Sequence, residues 1–445
     1  MTSNSEDKRL PQPELPEPAH PDLDSMLSRK FGKEVANYFS GSPLNRVSFL
    51  RQDHPFLSHA LTHHTTTFLI FNKLEPLVES PTKLHYATYA DVKPIIGDDP
   101  YSKSEEDLVK EYNSTTYIPQ MIFLGLHEDK DGVTTKKGYK GAPFFAVDVT
   151  PKHESIKEAA EALIKSFEDK GVHFSKGRLH MALPAEEGEL RHFLFQYGNS
   201  DSSAAAIYAE ARHLLDWNAR NPFCGGCGQP TFSVNAGFKR TCPPTDFSQL
   251  LASGTQGAGV PEKPFDRPSC PTRGVISNLQ FPRTDPTVIM ACVSHDGQRI
   301  LLGRQRRWPA HWYSTLAGFL EPAESVEEAV RREVWEESGI KLGRVVVHST
   351  QPWPYPANLM IGAIGQATPD GEVVDLGNDP ELEDAKWFSL DEVREALRVG
   401  TSGLGERPGP EWREGGLRLP PRTAIANQLL TSVVNGFVSA GVMKI

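Results

Sequence analysis

GFLEPAESVEEAVRREVWEESGI, residues 318–340, is the stretch whose reading decides the fold. Ser325 followed three residues later by Glu328 has the form of a capping box, which starts a helix. Gly339 stands where a left-handed C-terminal cap would close it. Between them Val326, Ala329, Val330 and Val334 recur at helical spacing and form one face able to pack on a sheet. Glu333, Glu336 and Glu337, at i, i+3 and i+4, share one stripe of that helix. Carboxylates so close repel one another, and the helix gains nothing from them. A hard divalent cation removes the penalty, since Mg²⁺ and Mn²⁺ prefer oxygen ligands. A solvated acidic face is the other meaning of the same spacing.

The segment also fits the pattern G-x5-E-x7-R-E-U-x-E-E-x-G-U, with U a bulky aliphatic residue, at nine defined positions: Gly318, Glu324, Arg332, Glu333, Val334, Glu336, Glu337, Gly339 and Ile340. It resembles the box of the Nudix hydrolases. That resemblance implies a loop–helix–loop on an α/β/α sandwich, where water attacks a phosphorus of a substituted nucleoside diphosphate. It implies Glu333, Glu336 and Glu337 as ligands of Mg²⁺ or Mn²⁺, one of the last two also helping to activate the water. Arg332 would orient the glutamates, with Glu324 in support, so the catalytic roles fall on Arg332, Glu336 and Glu337. Ala317, beside the box glycine, is implied as both a metal and a substrate contact, and Gly318 as a substrate contact. Phe319 is a candidate to stack on a base, or equally a core residue beside a turn.

Downstream, TQPWPYPANLM (residues 350–360) alternates prolines with aromatics. Such a stretch predicts a stiff extended loop that presents flat faces at little entropic cost, or a rigid edge loop packed on the core. It resembles the S-Q-P-W-P-F-P-x-S array of NADH pyrophosphatases, with Thr350, Tyr355 and Asn358 as departures. The resemblance implies Gln351, Trp353 and the upstream Phe281 as substrate contacts. It also implies Glu381, six residues before Trp387, as a further metal ligand, with Glu383 and Asp384 nearby. It covers residues 221–440 well and reaches the N-terminal part only loosely, through NYFSGSPLNR at 37–46.

Cys224-Gly-Gly-Cys227 has the form of a zinc knuckle, and Cys242 suits the second half of a ribbon. A second knuckle would place cysteine at 245, where Thr245 stands, so Cys270 is the candidate fourth ligand and Cys292 a buried strand residue. The expected zinc is structural, because four protein thiolates leave no open position for water. A ribbon that has lost its metal is the alternative.

At 445 residues the chain predicts two or three domains. A net charge of −10 disfavours long nucleic acid or an anionic membrane as the main partner. No run is apolar enough to span a bilayer, and the N-terminus has no secretory h-region. The sequence predicts a disordered tail over 1–32, an N-terminal mixed α/β, Nudix-like domain over 33–221, a zinc ribbon and loop over 222–275, and the α/β/α sandwich over 276–445. Strands are expected at 67–71, 121–124 and 144–147, helices at 155–168 and 204–217, with no internal repeat. Gly403-Leu404-Gly405 cannot begin a dinucleotide fingerprint, since Pro408 holds the last glycine position. A nicotinamide dinucleotide would then be substrate, without a redox role. The leading expectation is hydrolysis of NADH to reduced NMN and AMP. Removal of NAD caps from RNA 5′ ends is the alternative, and a non-catalytic nucleotide-binding module the reading of another class. The family resemblance further implies a homodimer. The C-terminal Met443-Lys444-Ile445 partly fits a peroxisomal tripeptide, leaving cytoplasm or peroxisome open.

Overall fold

The computed structural model describes residues 15–16, 26, 28, 34–80, 83–136, 138–175, 202–248, 264–274, 278–377 and 381–436. Most of the expected tail, most of the loop around 253–264 and the C-terminal tripeptide lie outside them. The chain divides into two compact units, Pro43–Lys176 with Ile207–Arg283, and Met1–Ser42 with Gly177–Ala206 and Thr284–Ile445. Residues 34–42, expected in the N-terminal domain, therefore belong to the unit that carries the box.

The first unit is built on β1 (Leu44–Asn45), α1 (His54–Thr62), β2 (Thr67–Asn72), β3 (Glu75–Ser80), β4 (Lys83–Leu84), α2 (Tyr89–Ile96), α3 (Glu105–Lys110), β5 (Met121–His127), β6 (Val133–Thr134), β7 (Lys140–Asp148), α4 (Glu154–Glu168) and β8 (His173–Phe174). Among the described residues the sheet runs β1-β5-β7-β2-β3-β4, parallel only between β2 and β7. The expected strands are β2, β5 and β7, almost wholly buried because they read as continuous apolar runs. Helix α5 (Ser202–Arg220) leads to the ribbon, made of β9 (Phe232–Val234) with β10 (Lys239–Thr241) and β11 (Thr245–Asp246) with β12 (Phe265–Asp266).

On α5, buried Glu210 faces Arg46 at 3.4 Å. Burial outweighs the pull of Arg46 and Arg51 and lifts its carboxyl to about 7, whereas an unfolded chain ionises glutamate near about 4.3. Between these values the folded chain keeps a proton that the unfolded chain has lost. Stability from this group therefore declines as pH rises through that window, and levels off above it. Glu210→Gln removes the decline. Its melting temperature relative to wild type should rise by several degrees from about pH 5 to about pH 8. Thermal melts at both values check this, and a difference that does not vary with pH would refute it.

The second unit holds β13 (Asp285–Val293), β14 (Arg299–Arg304), β15 (Leu316–Phe319), α6 (Val326–Ser338), β16 (Leu342–Trp353), β17 (Asn358–Ala367), β18 (Asp384–Ser389), α7 (Leu390–Val399) and α8 (Ile425–Val434). The sheet order is β16-β17-β13-β14-β18, with β15 on β13 and β13–β17 the parallel pair. The two-residue period of β13 splits its side chains between two cores. Val288, Met290 and Cys292 pack with Ala329, Val330 and Val334 of α6. Ile289, Ala291 and Val293 pack with residues of α7 and α8. This is the expected α/β/α sandwich.

The run β5-β7-β2-β3 repeats β16-β17-β13-β14 in its pattern of antiparallel, parallel and antiparallel pairings. The fold is thus internally duplicated at the level of topology, although the sequence carries no internal repeat. The helix after β4, α2, carries a single aspartate in place of the glutamate stripe. Among the described residues, no helix is long and apolar enough to cross a membrane.

Candidate active site

Helix α6 begins and ends as its residues dictate. Ser325 accepts from the Glu328 amide at 3.3 Å, Glu328 accepts from the Ser325 amide at 2.8 Å, and Gly339 closes the helix at φ 72°. With Val330 and Val334 fixed to the sheet, the glutamate stripe is turned toward β15. Arg332 lies at its centre. Nε and Nη2 donate to the two oxygens of Glu324 at 2.6 and 2.9 Å, and Nη1 donates to Glu333 and Glu336 at 2.9 Å each. Nη2 also reaches the Phe319 carbonyl at 2.8 Å, which ties the helix to the end of β15. One planar fork thus orders three carboxylates.

The charges answer this geometry. The Arg332 side chain, and after it the Glu321 amide, hold the Glu324 carboxyl at about 2. Glu333 goes the other way: burial, with Glu336 and Glu324 adding repulsion, raises it above the usual carboxylate value despite Arg332. Glu337 is buried near Cys292, whose thiol is pushed up by burial and then by that carboxylate. Carboxylate oxygens are the donors a hard cation prefers, but among the described residues only the ribbon cysteines lie close enough together to share one ion.

Gly318 shows how tight the seat is. A Cβ there would lie 2.0 Å from Glu333 Cδ and 2.2 and 2.3 Å from its oxygens. The absence of a side chain at 318 is what lets the carboxylate rest against β15. Gly318→Ala should displace Glu333 by about an ångström, a shift that costs on the order of a hundredfold in kcat/KM. Steady-state kinetics check it, with a circular dichroism spectrum to establish that the fold persists. Retention of more than half the wild-type rate would show the seat to be dispensable.

Other implied site residues spread over both units. Ala317 is half-buried on β15 and Phe319 is exposed at its end. Glu381 is exposed at the turn before β18, whereas Glu383 pairs with Arg304 at 3.0 Å and Asp384 accepts from Tyr313 at 2.5 Å. Phe281 belongs to the ribbon-bearing unit, partly exposed, with Lys239 Nζ 5.5 Å from its ring. The stretch 350–360 is not the loop expected. Thr350, Gln351, Pro352 and Trp353 continue β16, paired with Ile361, Met360, Leu359 and Asn358 of β17, and only residues 354–357 turn. Backbone pairing on both sides of a short turn accommodates the prolines as a hairpin end.

Gln351 is buried and wholly engaged by backbone. Its Nε2 donates to the carbonyls of Tyr38 and Thr423 at 3.0 and 2.8 Å, and its Oε1 accepts from the Ile425 amide at 3.0 Å. That wiring ties β16 to the backbone at 38, 423 and 425. It also brings in residues that sequence reasoning passed over. Asn37 Nδ2 donates to Ser349 Oγ at 3.0 Å and to the Thr350 carbonyl at 2.9 Å, and Phe39 lies edge-on to Trp353 and Tyr355.

In the ribbon, the sulfurs of Cys224, Cys227, Cys242 and Cys270 all lie within 4.8 Å of one another, a cluster able to hold a metal ion. Antiparallel pairing of β11 with β12 brings the chain back after the long loop, so that Cys270 Sγ sits 3.6 Å from Cys224 Sγ. Arg267, buried in an ion pair with Asp246, fastens the return. Arg273 Nη2 donates to Cys242 Sγ at 3.3 Å. Cys292 is remote from the cluster in sequence and buried in the sandwich core.

A capped helix that gathers glutamates under one arginine, laid on a mixed sheet, defines the Nudix class. Residues 283–404 match the NUDIX domain, residues 219–246 the NADH pyrophosphatase zinc ribbon domain, and residues 65–217 the NADH pyrophosphatase-like rudimentary NUDIX domain. The chain is 34% identical to the NAD-capped RNA hydrolase of Schizosaccharomyces pombe, over 91% of this chain and 95% of that protein. It is 32% identical to the NAD-capped RNA hydrolase NUDT12 of Homo sapiens, over 89% of this chain and 73% of that protein. With the mitochondrial NAD(P)H pyrophosphatase NUDT13 of Mus musculus the identity is 34%, over 82% and 83%. The chain belongs to this zinc-ribbon NADH pyrophosphatase family of Nudix hydrolases, and the ribbon match together with the cysteine cluster supports a structural zinc.

Proposed function

We propose that the chain hydrolyses the pyrophosphate bond of NADH, and of NAD⁺ and related dinucleotides, to reduced NMN or NMN and AMP. The observation that carries this reading is the Arg332 fork, which holds Glu333 and Glu336 side by side in a glycine-lined seat. Glu333, Glu336, Glu337, Glu381 and Ala317 would hold Mg²⁺ or Mn²⁺. Such a cation, when bound, polarises the phosphoryl group and stabilises the leaving oxygen. Arg332 keeps the carboxylates aligned, and Glu336 or Glu337 accepts the proton of the attacking water. Water adds to one phosphorus as the bridging P–O bond breaks, and the leaving phosphate takes up a proton. Gly318 and Phe319 border the reacting group, Trp353 faces a base, and Phe281 is a further substrate contact. Zinc at Cys224, Cys227, Cys242 and Cys270 is structural.

Incubation with NADH and Mg²⁺ should yield AMP and reduced NMN in equal amounts. Release of nicotinamide and ADP-ribose, or no AMP at all, would overturn the reading. Removal of NAD caps from RNA is a second reading, motivated by the activities for which the fungal and human relatives are named. The kcat/KM values for NADH, NAD⁺ and NAD-capped RNA rank the two. A homodimer accompanies the proposal, supported by exposed Phe223, Leu279 and Phe281 on the ribbon-bearing unit. Light scattering tests it.

A further inference from the structure

Residues 37–39 lie more than three hundred positions before the hairpin they touch, yet they are bound to it by side chain and backbone together. Asn37 clamps β16 at Ser349 and Thr350, and Gln351 takes the Tyr38 carbonyl. Phe39 then adopts φ 71°, a left-handed conformation that a bulky side chain rarely accepts. Such strain persists where neighbours over-determine it. Here it turns the ring edge-on to Trp353, with centroids 5.9 Å apart and planes at 79°.

The same ring walls a cavity of about 210 Å³, shared with Trp353, Ile289, Met360, Trp312 and Ser314. Pockets for drug-sized ligands run from about 300 Å³ upward, so this one takes a single ring system and excludes a whole dinucleotide. Its walls are apolar and aromatic, and the residues that line it carry no formal charge. That is the chemistry of a site for a flat heterocycle. Ile289 on its wall pairs in register with Ala317, and Val288 with Gly318. The cavity wall and the glycine that seats Glu333 are thus one strand position apart along β13, on opposite faces of the sheet.

We propose that the Asn37–Tyr38–Phe39 segment is part of the substrate-binding apparatus: Phe39 sets the Trp353 ring and walls a pocket for one heterocyclic base of the dinucleotide. This rests on the reading of the box as a dinucleotide pyrophosphatase site. Phe39 is a positioning residue, since it acts largely through Trp353, and it governs binding more than chemistry.

The test uses the full chain with Mg²⁺ and measures kcat and KM for NADH, with inhibition constants for AMP and for reduced NMN. Phe39→Ala should raise KM about tenfold, the scale of one base–aromatic stack, with kcat little changed. Inhibition by one of the two mononucleotides should weaken to a similar extent, and inhibition by the other should hold. Phe39→Leu, which keeps apolar bulk but no ring, should show the same direction at smaller size and carries the test if the alanine variant does not fold. Asn37→Ala, which frees the segment from β16, should follow Phe39→Leu. A folded variant with unchanged KM, or one in which kcat falls and both mononucleotides weaken together, overturns the inference alone. Failure of the wild type to form AMP from NADH instead removes the reading beneath it.

Discussion

Glu337→Gln should lower kcat on NADH by about a thousandfold, in the middle of the range for losing a positioned proton acceptor, without lowering the melting temperature. The amide keeps the shape of the side chain and its place against the sheet, where Glu337 is buried. What it removes is one negative charge from a stripe of like charges, in which Glu336 and Glu324 add to burial in raising the Glu333 carboxyl. In the absence of a cation that relief is stabilising, so a folding defect cannot explain the lost rate. Two measurements separate the roles. Stabilisation by Mg²⁺ follows mass action, so the wild type should gain melting temperature as Mg²⁺ is added while the variant gains less. If the variant binds Mg²⁺ as well as wild type yet remains slow, Glu337 serves the water; Glu336→Gln, which also gives up its 2.9 Å contact with Arg332, should then bind Mg²⁺ less well. Turnover by Glu337→Gln at the wild-type rate would sink the assignment.

The box could be read from sequence because everything that shapes it is local. Cap, packing face and glutamate stripe all follow from one helical period between Ser325 and Gly339. The strands at 67–71, 121–124 and 144–147 were legible for a similar reason, since apolar runs of that length are buried wherever they fall. Contacts between distant segments were not. Nothing near Asn37 announces that its amide partners stand at 349 and 350. Nothing near Gly318 announces that Glu333 fills the space of its missing Cβ. The hairpin at 350–360 reads as a loop in sequence because prolines argue against a strand until an opposing strand supplies the pairing. The duplicated pairing pattern leaves no residue-by-residue repeat, because strand order is a property of pairing, which unlike residues can reproduce.

Cys270→Ser should abolish stoichiometric zinc and destabilise the ribbon-bearing unit, with Cys292→Ser as the control that leaves zinc in place. Serine preserves size and removes the thiolate, so the change is confined to ligation. The four sulfurs are close enough to share one ion, but their proton affinities differ. Burial raises the Cys242 thiol to about 12 even though Arg273 pulls it down. Cys270 is also raised by burial, but the Thr272 hydroxyl and amide, with the neighbouring Cys227 and Cys224 thiols, bring it below the usual thiol value. A structural zinc contributes on the order of 10 kcal/mol in isolated fingers, and the loss of one of four ligands forfeits much of it. Within this unit the ribbon is also held by the buried Asp246–Arg267 pair and by the Ser114 amide on Asp246 at 2.9 Å. Those contacts should keep the chain partly folded, so the melt should broaden or split where the wild type melts once. Metal analysis of purified protein gives the direct readout: about one zinc per chain in wild type and Cys292→Ser, and a small fraction of that in Cys270→Ser. Full zinc content in Cys270→Ser would remove Cys270 from the ligand set, and with it the explanation of why β11 and β12 pair to bring the chain back across the loop.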